Sequence, residues 1–196
     1  MHRNSDIFLD DWLKNKQKKP LVIRGARKKK KTWSVRNLAK QAGKNLMELN
    51  FEKQPGWSSA FVSNDPKKIC LELEALTNKT IHPERDILFL DEIQATPELL
   101  SKLRWFAEDL PELPVVAAGS LLEFALEDHS FSMPVGRIHY LHLEPLSFIE
   151  FLAATESEPQ LNFIKQFNWQ TQMSAAVHQA LLDKFKEYLI VGGMPA

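Results

Sequence analysis

The chain has little of what marks several large classes of protein. Cys70 is its only cysteine, so no disulfide can form within the chain, which fits a reducing compartment. We interpret Cys70 as a small buried side chain on a helix. No segment approaches the ~20 apolar residues that a membrane-spanning helix needs. The N-terminal stretch MHRNSDIFLDDW has acidic residues within its apolar part, unlike a signal peptide. The sequence predicts a cytoplasmic protein that does not enter a membrane.

The chain also has no excess charge of either sign. Lys and Arg together number 25, and Asp and Glu together number 25. No overall field therefore attracts nucleic acid or an anionic membrane, and a basic site has to be local. The lysine run at residues 28–31 is such a local site. With 196 residues and 44% hydrophobic residues, the chain can bury one sizeable core and carry part of a second domain.

Short apolar runs alternate with amphipathic helical patterns over most of the sequence. The runs predict strands, and the patterns between them predict helices that connect parallel strands and cover both faces of a sheet. Beyond Pro145 only helices are predicted. The predicted strands are residues 21–23, 46–51, 87–90, 114–119 and 138–143. The predicted helices begin near Ser5, Thr32, Asp65, Thr96 and Ser120, and two more cover residues 146–154 and 173–190.

The stretch PLVIRGARKKKKTW nearly matches a phosphate-binding loop. Such a loop reads G-x-x-x-x-G-K-[ST] between a strand and a helix. Its backbone N–H groups hold phosphate oxygens, its lysine reaches the β- and γ-phosphates, and its hydroxyl holds Mg²⁺. Gly25, Lys31 and Thr32 fit this pattern, but Lys30 stands where the second glycine belongs. The alternative is that KKKK is a solvated charge run on a surface turn.

An acid pair follows the apolar run at residues 87–90. ILFLDE places Asp91 and Glu92 at the C-terminal end of a buried strand, where parallel α/β sheets bind their ligands. In a P-loop enzyme the first acid binds Mg²⁺ through its coordination shell, and the second can polarise the attacking water. The alternative is that an acid here caps the next helix. Together with the loop, the pair favours a nucleotide site.

Two further residues are weaker candidates. Ser120 follows the strand PVVAAG and would lie beside the strand that carries Asp91, near the γ-phosphate, but it would serve equally well as a helix cap. Arg137, in PVGRIHY, could meet a phosphate in its own chain or in a neighbouring one. The alternative for Arg137 is an ordinary surface arginine.

Several motifs in sequence order resemble a known family. The chain resembles the prokaryotic AAA-type P-loop ATPases that carry a C-terminal domain of unknown function. The resemblance implies an α/β fold, a three-layer αβα sandwich with a parallel sheet of roughly five strands, followed by a helical lid region. The motifs are PLVIRGAR…KT, ILFLDEIQ, LRWFAEDLPELPVVAAGSLLEFAL, PVGRIHYLHLEPLSFIEFL and VGGMPA.

The same resemblance implies cofactors, domain limits and residue roles. The cofactors are ATP and Mg²⁺; residues 1–145 form the nucleotide-binding core, and residues 146–196 form the helical lid or the start of a truncated C-terminal region. The implied nucleotide-binding residues are Gly25, Ala26, Arg27, Lys30, Lys31, Thr32 and Asp91, with Thr32 and Asp91 also holding Mg²⁺. The implied catalytic residues are Glu92 as the base, Ser120 as a polar sensor and Arg137 as a finger or sensor.

The chain departs from this family in its loop. Members usually read GARQVGKT, whereas this chain reads GARKKKKT. We therefore expect Mg²⁺-ATP binding with weakened or impaired hydrolysis. One alternative is a catalytically dead ATPase that acts as a protein-interaction module, and oligomerisation with copies of itself fits either case. Nucleic-acid contact through residues 28–31 is disfavoured, because no aromatic stacking residues accompany the lysines and the chain is neutral overall.

Overall fold

The computed structural model describes residues 3–25, 31–119 and 136–193. These residues divide into two compact units. The first is Asn4–Leu143, and the second contains Arg3 and residues 144–193.

The first unit alternates strands with helices, as the sequence predicts. Its strands are β1 (Leu21–Arg24), β2 (Asn45–Asn50), β3 (Asp86–Asp91), β4 (Val115–Ala118) and β5 (His139–His142). Its α-helices are α1 (Asn4–Lys14), α2 (Lys31–Gln41), α3 (Pro66–Thr77) and α4 (Leu103–Asp109). Further 3-10 turns span Pro55–Phe61, Ile93–Ala95 and Pro97–Lys102. The helix predicted to begin near Thr96 is therefore a 3-10 turn followed by α4, and the helix predicted to begin near Ser120 lies outside the described residues.

The five strands form one parallel sheet in the order β2-β3-β4-β1-β5. The chain leaves β1 for the far edge at β2, returns through β3 and β4, and then crosses β1 to β5. In open α/β sheets, ligands bind at the carboxyl ends of the strands, at the point where the strand order changes direction.

Side chains of the sheet alternate between two cores. On β3, Ile87 and Phe89 join the cluster that contains residues of α1 and α2, whereas Leu88 and Leu90 join the cluster that contains residues of α3 and α4. Every residue of β3 is buried, because helices cover both faces of this central strand. The three-layer αβα fold predicted from the sequence is thus confirmed.

Helix ends in the first unit follow local chemistry. Asp65 caps α3, since its side chain accepts a hydrogen bond from the backbone N–H of Lys67 at 2.9 Å, and Pro66 follows in the first turn. Gly43 has a φ of +63° just beyond α2, and the N–H of Lys44 donates to the carbonyl of Ala39 at 2.9 Å. Gly43 thus ends α2 in a common way, because glycine adopts a positive φ at little cost.

The inner face of α1 differs from the prediction. The sequence predicts Ile7, Phe8, Trp12 and Leu13 on the inner side of α1, but the side chains of Ile7 and Phe8 are exposed. Trp12 is buried as predicted, with Leu9 beside it in the same core cluster, and the indole N–H of Trp12 donates to the carbonyl of Lys19 at 2.8 Å. A buried indole needs such an acceptor, so this bond fixes which side of the helix turns inward.

Cys70 provides a test of packing on α3. It is partly buried against the core, and burial raises the pKa of its thiol to about 12, with Glu74 and Asp65 adding to the rise. At pH 8 about one thiol in ten thousand is then ionised, against roughly a quarter of ordinary thiols. We expect iodoacetamide to label the folded protein at least about a hundredfold more slowly than the unfolded protein in guanidinium, as measured by intact mass. Complete labelling of the folded protein within minutes would contradict this.

The second unit is helical, with α5 (Phe148–Ala154), α6 (Glu158–Gln166) and α7 (Ala175–Val191). Ser147 and Glu150 form a reciprocal capping box at the start of α5. The sequence predicts α5 and α7 but not α6, a short helix in which only Leu161 is buried. Within the described ranges, no helix combines the length and the apolar character needed to cross a membrane.

Two stretches of sequence that carry the resemblance meet inside this unit, around Leu146 and Gly193. The N–H of Leu146 donates to the carbonyl of Gly193 at 2.6 Å, and the hydroxyl of Tyr188 donates to the carbonyl of Leu146 at 2.7 Å. A Cβ built at Gly193 would collide with the Leu146 backbone. Glycine is therefore needed at position 193, because it permits the close approach of this backbone to that of Leu146.

Candidate functional site

The candidate site lies where several strands end on the same edge of the sheet. Gly25 follows β1, and Asp91 is the last residue of β3. Asn50 ends β2 and pairs in register with Asp91. Since parallel strands present their carboxyl ends at one edge, these residues lie close to Lys31, the first residue of α2.

A hydrogen bond joins the loop motif to the acid motif. The hydroxyl of Thr32 lies 3.3 and 3.2 Å from the two carboxylate oxygens of Asp91, across 59 residues of sequence. The amide of Asn50 donates to the same carboxylate at 3.2 Å, while its carbonyl oxygen accepts from the N–H of Lys53 at 2.9 Å. The second bond fixes the orientation of the Asn50 amide. Hydroxyl, amide and carboxylate thus converge on one point.

Asp91 is held in an environment that disfavours its charge. Burial raises the pKa of its carboxyl group, and the negative charges of Glu92 and Glu48 raise it further. The hydrogen bonds from Thr32 and Asn50 oppose the rise but do not cancel it. A cation beside Asp91 would favour the ionised carboxylate and relieve this cost.

Lys31 lies across the base of the loop. Its side chain is buried, and its ammonium group donates to the carbonyl of Gly25 at 2.9 Å. Gly25 itself has a φ of +146°, and a Cβ there would approach the carbonyl oxygen of Leu143 to 2.7 Å. Only glycine fits this position without strain, which agrees with its predicted place as the first glycine of a phosphate-binding loop. The predicted loop residues Ala26, Arg27 and Lys30 lie outside the described residues.

Glu92 adopts an unusual backbone conformation. Its φ and ψ are 51° and 45°, a left-handed geometry that is costly for a residue with a side chain and that concentrates at functional sites. Its side chain makes no capping bond to the short 3-10 turn that follows, so the helix-cap alternative finds no support here. Instead, the amide of Gln94 donates to its carboxylate at 2.7 Å.

The structure does not bring Arg137 to this site within its own chain. Arg137 precedes β5 and therefore lies at the opposite, amino-terminal edge of the sheet, where its Nε donates to Glu108 at 2.7 Å. The bond from Arg137 lowers the pKa of Glu108. The Arg137 side chain is 55% exposed, so contact with a neighbouring chain stays a prediction. Ser120 lies outside the described residues.

Asn50 and Gln94 were not predicted as site residues. Asn50 carried a usable signal, since it is a polar residue at the end of a predicted strand. Gln94 stands in the DEIQ motif, yet its role depends on where its amide points. Only tertiary structure reveals the bonds that these two amides make to the acid pair.

The oxygen ligands at the candidate site suit Mg²⁺, which keeps most of its ligands from water and phosphate, better than they suit a metal ion whose ligands all come from the protein. Among the residues that the structure describes, no group of three or more His, Cys, Asp and Glu side chains could hold a metal ion. Mg²⁺ typically takes one or two carboxylates from the protein and its remaining ligands from water and substrate phosphates. Thr32 and Asp91 fit that pattern.

Solved structures with a similar chain path come from archaeal and eukaryotic proteins. A Walker-type ATPase of Pyrococcus abyssi is 14% identical, with coverage of 97% of this chain and 73% of that one and a TM-score of 0.46. The ORC2 protein of Aeropyrum pernix, in ADPNP–ADP complexes, is 17% identical, with coverage of 81% and 52% and a TM-score of 0.49. Drosophila ORC bound to DNA gives 16% identity, coverage of 94% and 53%, and a TM-score of 0.48. The chain spans about half the length of the two ORC chains.

Sequence comparisons give a more direct result. No curated protein matches the chain. The model of one domain family, described as AAA domain, matches residues 17–152. This range contains all five strands and every residue of the candidate site, and it covers more than half of the chain. The chain belongs to the AAA domain family of P-loop ATPases.

Proposed function

We propose that this domain binds ATP together with Mg²⁺ at the carboxyl edge of its sheet and hydrolyses it at a rate limited by the altered loop. The observation that carries the proposal is the contact of the Thr32 hydroxyl with the Asp91 carboxylate. It joins the end of the loop motif to the acid motif, at the edge where this fold class binds ligands.

Phosphate binding rests on Lys31 and the start of α2. Lys31 is a buried residue, and its ammonium group is already held at the base of the loop by its bond to the carbonyl of Gly25. The N–H groups of the first turn of α2 add a partial positive charge. A triphosphate that accepts these hydrogen bonds would replace the Gly25 carbonyl as the acceptor for Lys31.

Magnesium would be held by Thr32 and Asp91, with Asn50 keeping the carboxylate in place. When bound, Mg²⁺ neutralises charge on phosphate oxygens during phosphoryl transfer. Asp91 has to be ionised to serve in this way. The raised pKa of its carboxyl group therefore predicts that binding of Mg²⁺-ATP strengthens as the pH rises.

Glu92 is the proposed general base. In this proposal its carboxylate accepts a proton from the attacking water, and the side chain is not engaged in a capping bond to the turn that follows. We also propose that residues 146–196 serve as a helical lid or as the start of a further region. Arg137 in this proposal acts on a neighbouring subunit, because in its own chain it lies at the amino-terminal ends of the strands, opposite to the candidate site.

A second function is a protein-interaction module without turnover. The observation that favours it is the set of exposed apolar side chains along α7, which a packed surface would normally cover. These residues are Leu182, Phe185, Leu189, Ile190 and Val191. Nucleic-acid contact through the lysine run stays a weaker alternative.

Replacement of Thr32 tests the proposed function. We expect Thr32→Ala to reduce the Mg²⁺-dependent part of ATP affinity by about 10- to 100-fold, since a hydrogen bond or ligand bond to a charged group is lost. Thr32→Ser keeps the hydroxyl and serves as the matched control, with affinity within about threefold of the unchanged protein. ATP titrations by calorimetry, with Mg²⁺ and with EDTA, give both values.

Two outcomes would contradict the proposal. One is an absence of ATP binding both in the unchanged protein and in Lys30→Gly, with folding confirmed by thermal melting. The other is equal Mg²⁺ dependence in Thr32→Ala and Thr32→Ser. Binding without hydrolysis would favour the interaction-module alternative.

A further inference from the structure

Gln94 links two carboxylates beside the candidate base. Its amide nitrogen lies 2.7 Å from an oxygen of Glu92 and 3.0 Å from an oxygen of Glu52. An amide NH₂ has two protons, so it can donate to both acceptors at once. The bond to Glu92 is the shorter of the two.

The chemistry of the neighbours fixes the orientation of this amide. Rotation by half a turn would place its carbonyl oxygen against the two carboxylates, where only repulsion results. The oxygen of Gln94 instead faces Gly119, the residue that follows β4. A Cβ built at Gly119 would collide with that oxygen. The glycine therefore leaves room for the amide in the orientation that serves Glu92.

We propose that Gln94 is a positioning residue for Glu92, with Gly119 providing the space that it needs. This inference rests on the proposed function for its consequence in turnover, though not for its geometry. Glu92 leaves the strand in a left-handed conformation and makes no capping bond that would hold its side chain. The amide bond from Gln94 restrains the carboxylate, and a misplaced base loses about a hundredfold in rate for a shift of about 1 Å.

The first experiment needs no nucleotide. In ¹H–¹⁵N spectra of the whole chain, the side-chain NH₂ pair of Gln94 is the pair that disappears in Gln94→Ala. We expect Glu92→Gln to shift one proton of that pair and Glu52→Gln to shift the other, because each variant weakens one of the two bonds. An unchanged pair in Glu92→Gln would overturn the proposal, whether or not the protein binds ATP.

The second experiment measures turnover. We expect Gln94→Ala to lower kcat about 10- to 100-fold while KM and the ATP dissociation constant stay within about threefold. Gly119→Ala is expected to lower kcat in the same way, although Gly119 has no side chain that could contact Glu92, because the added Cβ would displace the Gln94 amide. Glu52→Gln is the matched control, with kcat within about twofold, because the bond to Glu92 remains.

The outcomes separate this inference from the proposed function. Loss of ATP affinity in Gln94→Ala with kcat unchanged would overturn the positioning role. Where turnover of the unchanged protein is too slow to measure, the kinetics are taken in the Lys30→Gly background. If neither protein binds ATP, the proposed function fails, and the spectra alone decide whether Gln94 restrains Glu92.

Discussion

Glu92→Gln is expected to abolish ATP hydrolysis and to leave ATP bound. The amide has nearly the shape of the carboxylate but cannot accept the proton of the attacking water. General-base catalysis contributes about 10²- to 10⁴-fold, so we expect a fall in kcat of that order. Phosphate release measures the rate, and calorimetry with Mg²⁺-ATP measures the affinity, which should stay within about threefold.

The control for this experiment makes the same chemical change at a nearby residue. Glu52→Gln also removes one negative charge, and Glu52 is bonded to the same Gln94 amide as Glu92. Its turnover should match the unchanged protein, since Glu52 has no role as a base in the proposed mechanism. Equal losses in both variants would point to a general effect of charge. Unaltered turnover in Glu92→Gln would remove Glu92 from its proposed role.

The sequence predicts the strands well because their burial is simple. A strand covered on both faces, such as β3, needs an unbroken apolar run, and ILFL is such a run. Helix faces are harder to predict. On α1 the pattern predicts both Phe8 and Trp12 as inward residues, whereas only Trp12 is buried, with its indole N–H bonded to the carbonyl of Lys19.

The candidate site also contains residues that the sequence predicts and residues that it does not. Lys31, Thr32 and Asp91 could be predicted, because their positions follow from a motif and from the ends of strands. The bond from Asn50 to Asp91 depends on the register between β2 and β3, which a single sequence does not specify. Gln94 was missed for a similar reason, since its amide bonds depend on the turn that follows β3.

Arg137 shows what a motif-based assignment leaves out. The resemblance gave it a role at the nucleotide, but a residue that precedes a parallel strand lies at the edge opposite to one that follows a strand. The predicted position of β5 and its direction already imply this. Arg137 lies beside Glu108, so in its proposed role it can contact only a nucleotide bound by a neighbouring chain.

Lys30→Gly is expected to tighten ATP binding by about 5- to 100-fold. The sixth position of a phosphate-binding loop lies where the backbone approaches the β-phosphate, so a residue with a Cβ is strained there. Such strain costs about 1–3 kcal/mol, and ~3 kcal/mol corresponds to about a hundredfold in affinity. Calorimetric titration of Mg²⁺-ATP into both proteins measures the gain. Hydrolysis should gain at least as much, because it also depends on the position of the γ-phosphate relative to Glu92.

Lys29→Gly is the matched control for this variant. It removes the same charge and adds a glycine to the same loop, one position away from the place that the motif requires. We expect its ATP affinity to change by less than about threefold, mainly through the lost attraction of one lysine, an effect that salt screens. If Lys29→Gly improved binding as much as Lys30→Gly, loop charge or flexibility would be the cause. Specific recovery in Lys30→Gly alone would identify the missing glycine as what limits nucleotide binding in this chain.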